Sequence, residues 1–239
     1  MSHGIYAALS GAVAQMSALD QTATNVANAS TAGFRAARPV FHELISKDVG
    51  RGSGGVRYTA MTGSSIDTSP GQIRSTGRPL DVVPASTDFL AVQTARGERY
   101  TRAGSMTIGA DGTLKSVSGD SMLGEDGKPV TIDPAASISI GSDGAVLANG
   151  ATVGRLRVVT FPRPEELQLQ GAMLFNVGTA GAPTLSKQAL QVGVLEDSNT
   201  SPVRGMTDLL QTSRMFEAVQ RTIEAFHEAD RKVLTVPSK

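Results

Sequence analysis

The sequence predicts an α+β fold: terminal α-helices pairing as a coiled coil, with a central all-β domain and an extended linker. Three observations carry this expectation. Both ends of the 239-residue chain place apolar residues at alternating spacings of three and four, the a/d register of a helical seam. The middle changes to short runs rich in Val, Ile, Leu and Thr, punctuated by Gly. A Gly-rich stretch, Gly50-Arg-Gly-Ser-Gly-Gly55, separates the first helix from those runs. The divisions expected are residues 1–36 for the N-terminal helix of an assembly domain, 37–75 for the extended linker, 76–196 for the β domain and 197–239 for the C-terminal helix of the assembly domain.

The N-terminal seam is Ile5, Leu9, Ala12, Met16, Leu19, Ala23 and Val26. Asn28, Ser30, Thr31 and Gly33 stop the helix, because Asn and Gly tolerate left-handed backbone and satisfy the last carbonyls. From Met1 to Pro39 the only charged residues are Asp20, Arg35 and Arg38. A helix with small, uncharged residues on all sides is expected to be surrounded by protein, which one partner helix alone does not supply. The opening residues lack a basic stretch before an unbroken apolar run, so no secretory leader is expected, and no window is apolar enough for a transmembrane helix.

The C-terminal seam is Leu209, Thr212, Phe216, Val219, Ile223, Phe226, Asp230 and Val233. Thr212 and Asp230 are its polar members. Glu217 and Arg221, and Glu228 and Lys232, stand four apart in the favourable orientation. Pro202 marks the start of this region and Pro237 its end.

In the middle, strands are expected around Leu80–Val83, Asp88–Gln93, Glu98–Arg102, Ser105–Ile108 and Thr113–Val117, with Gly97, Gly104 and Gly112 as turns. Further strands are expected at Pro129–Ile132, Ser137–Ile140, Arg155–Phe161, Leu174–Val177 and Leu190–Leu195. The motif Gly-x-Asp-Gly occurs three times, ending at Gly112, Gly127 and Gly144. Repeated Asp-Gly turns offer calcium an oxygen or two each, but the intervals do not suit a nonapeptide roll. Hairpin turns, with Asp bonding its own backbone and Gly at positive φ, are the favoured reading.

Composition excludes much chemistry. With no Cys there is no disulfide, thiolate metal site or Cys nucleophile. Lys+Arg and Asp+Glu are both 22, so no net charge draws the chain to nucleic acid or an anionic membrane. Aromatics make up only 4 %, with no Trp, too few for base-stacking platforms. His3, His42 and His227 are scattered beyond metal-ligand spacing. No P-loop or nucleophile elbow occurs. Glu165 and Glu166 are adjacent carboxylates after two prolines and read as a solvated loop. No catalytic residue, metal site or cofactor is expected.

The chain ends carry the informative motifs. Ala23-Thr-Asn25-Val-Ala-Asn28-Ala-Ser-Thr31-Ala-Gly33-Phe34-Arg35 closely resembles the N-terminal signature of the flagellar rod and hook proteins. Ala8-Leu-Ser-Gly11 is similar to that family's upstream element. Leu195-Glu-Asp-Ser198-Asn199-Thr-Ser-Pro-Val203 and Met206-Thr-Asp-Leu-Leu-Gln-Thr-Ser-Arg-Met-Phe216-Glu-Ala218 resemble its C-terminal motifs. Thr76–Val82, Asp88–Val92, Tyr100–Ser105 and Asp111–Leu114 resemble its central pattern, so the likeness spans nearly the whole chain. Departures fall at Thr24, Ser30, Arg35, Arg204 and Gly205. The short length and Val153-Gly-Arg-Leu-Arg-Val-Val resemble the proximal-rod branch; the distal-rod branch is similar but usually longer.

The resemblance implies an axial structural protein rather than an enzyme. It implies export by the flagellar type III apparatus and polymerisation, with other copies and other rod proteins, into the rod that crosses the periplasm and transmits torque. Neither nucleic acid, membrane insertion nor a small-molecule substrate is implied. Leu9, Met16, Leu19, Val26, Leu209, Phe216, Val219, Ile223 and Phe226 are the residues expected on the assembly helices, with Asn25, Asn28, Thr31, Gly33, Phe34, Ser198 and Asn199 as the matching motif positions. Two other classes remain distinguishable: a calcium-stabilised extracellular β binding protein, by calcium titration, and a cell-wall hydrolase, by a muralytic assay.

Overall fold

The computed structural model describes residues 2–46, 56–171 and 173–234, with side chains described for 8–42, 63–171, 173–225, 227, 228 and 231. Gly50–Gly55, and the side chains of Ile5, Phe226, Asp230 and Val233, therefore lie outside the described residues. The chain divides into two compact units, one formed by 1–26, 38–64 and 202–239 and the other by 27–37 and 65–201. The fold is α+β with a central β domain.

The first unit contains two long helices, α1 (Ser2–Ala27) and α2 (Pro202–Leu234). Their 26 and 33 residues correspond to lengths of roughly 40 and 50 Å at about 1.5 Å per residue. Pro202 occupies the first helical position, where its missing N–H costs nothing. Between the helices in sequence, strands Ala37–Ser46 and Val56–Ile66 pair as a two-stranded sheet. No helix is long and apolar enough to cross a membrane among the described residues.

The second unit is built on a nine-stranded sheet whose pairings are antiparallel. Its spine is strand Asp88–Thr94, which pairs with Gly97–Thr101 on one edge and with Val158–Thr160 and Ser121–Met122 on the other. Asp88 through Val92 are all buried, which alternation explains. Leu90 and Val92 face a core of Val82, Met106, Leu114, Met122, Val146 and Leu156. Phe89 and Ala91 face a second core with Tyr100, Phe161, Leu167 and Phe175. A strand covered on both faces has no polar face, so its sequence reads as a continuous apolar run.

Four of the ten aromatic residues meet in that second core. Phe89 contacts Phe161 and Phe175 edge-on at 5.7 and 5.4 Å, and Tyr100 contacts Phe161 at 4.9 Å. Burial, with Glu98 alongside, pushes the Tyr100 phenol up to about 12.

The three Gly-x-Asp-Gly motifs are the same turn. In each, the last glycine donates to the carbonyl of the first at 2.9 Å and has φ of +74°, +75° or +81°. The Oδ1 of Asp111, Asp126 and Asp143 accepts the backbone N–H two residues on, at 3.2, 3.1 and 3.1 Å. Asp111 and Asp143 also pair with Lys115 and Arg155 at 3.1 and 3.0 Å. Hydrogen bonds from Thr113, reinforced by Lys115, hold the Asp111 carboxyl down at about 2. These carboxylates are spent on their own turns. Millimolar calcium is expected to leave the thermal midpoint unchanged, and a rise on adding calcium would overturn this reading. Because the Asp111 carboxyl is lowered, its support for the turn persists above the ordinary carboxylate range and is lost as pH falls through about 2.

Candidate functional site

The helices carry the first candidate surface. On α2, Leu209, Thr212, Phe216, Val219 and Ile223 are all half-buried, whereas Met206, Leu210, Met215 and Val203 are exposed. The covered side is thus the stripe expected from spacing. Thr212 belongs to it at little cost, because its hydroxyl is satisfied by the Asp208 carbonyl at 2.8 Å. Thr22 and Thr222 bond back one turn in the same way, at 2.8 and 2.9 Å.

On α1 the expected stripe divides. Ala12 and Ala14 are buried and Leu19 and Val26 half-buried, but Leu9, Val13 and Met16 are 51 %, 58 % and 55 % exposed. Ala12 and Ala14 lie inward, Ala23 is exposed, and Leu9, Val13 and Met16 form an outward line at spacings of four and three. Near its C-terminal end α1 approaches α2 closely: a Cβ on Gly205 would meet Val26 Cγ2 at 2.5 Å. Gly205 is therefore the residue that this approach admits.

The second candidate is the junction within the β unit where the chain leaves α1 and later leads toward α2. Strand Val194–Glu196 pairs with Ile73–Ser75. Asn28 and Thr31 form the first turn after α1: Thr31 donates its N–H to the Asn28 carbonyl at 3.1 Å and its hydroxyl to Asn28 Oδ1 at 3.3 Å. Gly33 follows with φ +75° and donates to the Glu196 carbonyl at 2.7 Å. Phe34 is buried beside it, and its carbonyl accepts from Asn199 N–H at 3.4 Å. The Asn199 side chain works at both ends. Its Oδ1 accepts from Ala36 N–H at 2.7 Å, and its Nδ2 donates to the carbonyls of Asp67 and Ser69 at 3.0 and 3.1 Å. The Ser198 hydroxyl accepts from Thr200 N–H at 3.1 Å. Asn25 lies half-buried in the last turns of α1.

At the centre of this junction three charged residues are buried together. Arg35, Arg102 and Glu196 are 2 %, 2 % and 3 % exposed. Arg102 donates to Glu196 Oε2 from Nε at 3.0 Å and from Nη2 at 2.6 Å. Its other donors reach the carbonyls of Pro84, Ala85, Ser86 and Asp88, and its guanidinium lies 5.7 Å from the Phe89 ring centroid. Arg35 Nη2 lies 2.8 Å from Glu196 Oε1, an ion pair whose N–H points off the oxygen, while Nη1 donates to the Thr68 carbonyl at 3.2 Å. Burial, then the neighbouring Arg102 cation, lowers the Arg35 guanidinium to about 10, so it stays charged at neutral pH. The sequence motifs located Gly33, Phe34 and Asn199. Each member of the trio lies in one of the motifs, but the members are far apart in the chain and nothing local pairs them.

No group of three or more His, Cys, Asp or Glu suited to a metal ion occurs among the described residues. Glu165 and Glu166 sit in the short 3-10 turn Pro164–Glu166, with Glu166 paired to Arg163 at 2.8 Å. This arrangement is a surface ion pair.

Comparison with known proteins gives the same direction from end to end. The family model described as flagellar basal body rod FlgEFG protein C-terminal matches residues 191–236, and that described as flagellar hook protein FlgE/F/G D1 domain matches residues 86–148. The chain is 35 % identical to the flagellar basal-body rod protein FlgF of Salmonella typhimurium, over 95 % of each chain. It is 34 % identical to FlgF of Escherichia coli over 94 % of each. It is 32 % identical to the flagellar basal-body rod protein FlgG of Bacillus subtilis, over 95 % of this chain and 96 % of that one.

Proposed function

The chain belongs to the flagellar basal-body rod protein family, in its FlgF-like branch, and we propose that it polymerises through its terminal helices into the axial shaft that transmits torque. It is a structural component of the rod in the flagellar basal body. On this reading it is not an enzyme, binds other copies of itself and other rod proteins, and reaches the rod through the flagellar type III export apparatus. The pairing of α1 and α2 as a coiled coil is part of the same proposal.

The observation that carries the assembly role is the pair of apolar lines left outward in the single subunit. Leu9, Val13 and Met16 on α1, and Val203, Met206 and Leu210 on α2, are all exposed. Covering such side chains gains about 1.5–3 kcal/mol each, of order 10 kcal/mol for the six. Association costs about 4–15 kcal/mol. One contact is therefore marginal, and a subunit covered by several neighbours in a tube is held firmly. Because each chain end finishes its burial only among neighbours, ordering is coupled to assembly, which keeps the ends pliable for export.

Val13→Asp tests this. At an exposed position the change is expected to alter the stability of the isolated chain by no more than about 0.5 kcal/mol. In a strain lacking the gene it is expected to be exported but absent from isolated basal bodies, with motility lost. Wild-type motility from this variant would remove the α1 line from the assembly surface.

A further inference from the structure

We propose that Glu196 is a positioning residue: its buried carboxylate locks the segment following α1 and the segment leading toward α2 onto the β sheet within a single subunit, before any neighbour is present. The groups that hold it come from three separate segments of the chain. Oε1 accepts from Gly71 N–H at 2.8 Å and lies 2.8 Å from Arg35 Nη2. Oε2 takes both donors of Arg102, and the Glu196 backbone carbonyl accepts from Gly33 at 2.7 Å. One residue thus ties together positions 33–35, 71 and 102, which local sequence leaves far apart. Arg102 also donates to four backbone carbonyls between Pro84 and Asp88, so Glu196 reaches that segment through it.

Stability alone is a poor explanation for this arrangement. Burying three charges carries a desolvation penalty, and apolar residues of similar volume often serve as well. What a carboxylate adds is direction, since Oε2 takes both donors of Arg102 and Oε1 takes the Gly71 amide, while Arg35 is held beside it as an ion pair. The consequence in the cell rests on the rod reading; the lock itself does not.

Glu196→Gln in the full chain keeps the shape, removes the charge and takes from Arg102 the carboxylate it is bonded to, while Arg35 keeps only the Asp67 carboxylate nearby. Amide exchange on the purified monomer is expected to quicken at Gly33 and Gly71 by about 100-fold or more. Ala91 and Leu123, whose amides bond within the sheet, are expected to keep their wild-type rates. Leu167→Ala, in the aromatic core away from the carboxylate, serves as a comparator that lowers the global midpoint without this selectivity. Unchanged exchange at Gly33 and Gly71 would overturn the proposal. Equal acceleration at all four amides, including outright failure to fold, would overturn it too, because Glu196 would then be an ordinary stabilising group. Loss of motility with unchanged exchange would overturn the lock while leaving the rod reading intact.

Discussion

Adding one methyl group at Gly33 is expected to cost the β unit about 3 kcal/mol or more, with the loss centred on the junction. Two effects combine. The backbone at Gly33 has φ +75°, a left-handed conformation that costs an L side chain about 1–2 kcal/mol. A Cβ there would also lie 2.5 Å from Ala103 N and Arg102 C and 2.6 Å from Arg102 O. These are backbone atoms, held by the sheet and by the buried guanidinium of Arg102, so they do not swing aside as a side-chain end would. Relief requires the Gly33 amide to leave the Glu196 carbonyl and the buried Phe34 ring to move with it. Two other glycines separate the contributions. Gly119 has φ +86° with open space around it, so Gly119→Ala isolates the conformational cost, about 1 kcal/mol. Gly11 lies inside α1 with nothing near its missing Cβ. Gly11→Ala is therefore expected to favour the helix by about 0.5–1 kcal/mol. Urea denaturation of the three variants checks the order. If Gly33→Ala falls within about 0.5 kcal/mol of Gly119→Ala, the close approach has no energetic consequence.

Several parts of this molecule were legible because their cause is local. The Asp-Gly turns follow from the conformational freedom of one residue and the reach of another, and both are visible in four letters of sequence. The strand around Leu90 reads correctly because a run apolar on every position, short and bounded by Asp88 and Gly97, suits a strand covered on both faces. On α2 the residues from Leu209 to Ile223 at the expected spacing are half-buried, because a helical repeat is a property of the chain itself. Other parts were not legible. Gly104 reads as a turn, yet its φ is not positive; a Cβ there would collide with the Val82 carbonyl, a contact between segments 22 residues apart. Strands such as Ser121–Met122, Ala145–Ala148 and Thr184–Leu185 are too short to show a period, and only their partners define them. Ala37–Ser46 and Val56–Ile66 read as extended chain, but their mutual pairing had no signal in composition. On α1, a strict seven-residue reading placed Leu9 and Met16 with Ala12. Close helix approach favours the small Ala12 and Ala14 side chains inward, which leaves Leu9 and Met16 at the outer side. The buried trio is the extreme case, because Arg102 and Glu196 stand 94 residues apart. Which charge pairs with which is set by the fold alone.

Phe216→Asp is expected to abolish incorporation into the rod while leaving the β unit folded. Phe216 lies midway along the half-buried stripe of α2, between Thr212 and Val219. Removing the ring forfeits about 1.5–3 kcal/mol of burial. The carboxylate put in its place must be desolvated, protonated or left facing an apolar surface, each of which adds to the loss. In a polymer the same defect recurs in every subunit, so the penalties accumulate along the shaft. Arg221→Ala is the control. Arg221 is exposed, its Nε donates to the Glu217 carbonyl at 3.4 Å, and its removal is expected to cost well under about 1 kcal/mol. The aromatic core around Phe161 belongs to a unit with its own hydrophobic clusters, so its melting and the late titration of Tyr100 near 12 are expected to be unchanged. The measurement is complementation of a strain lacking the gene, scoring motility and rod-bound protein, with secreted protein assayed separately. Normal motility would show that the stripe makes no assembly contact. Failure of secretion alone would move Phe216 from the shaft to the export step, because an unsecreted subunit never reaches the site where its stripe is tested.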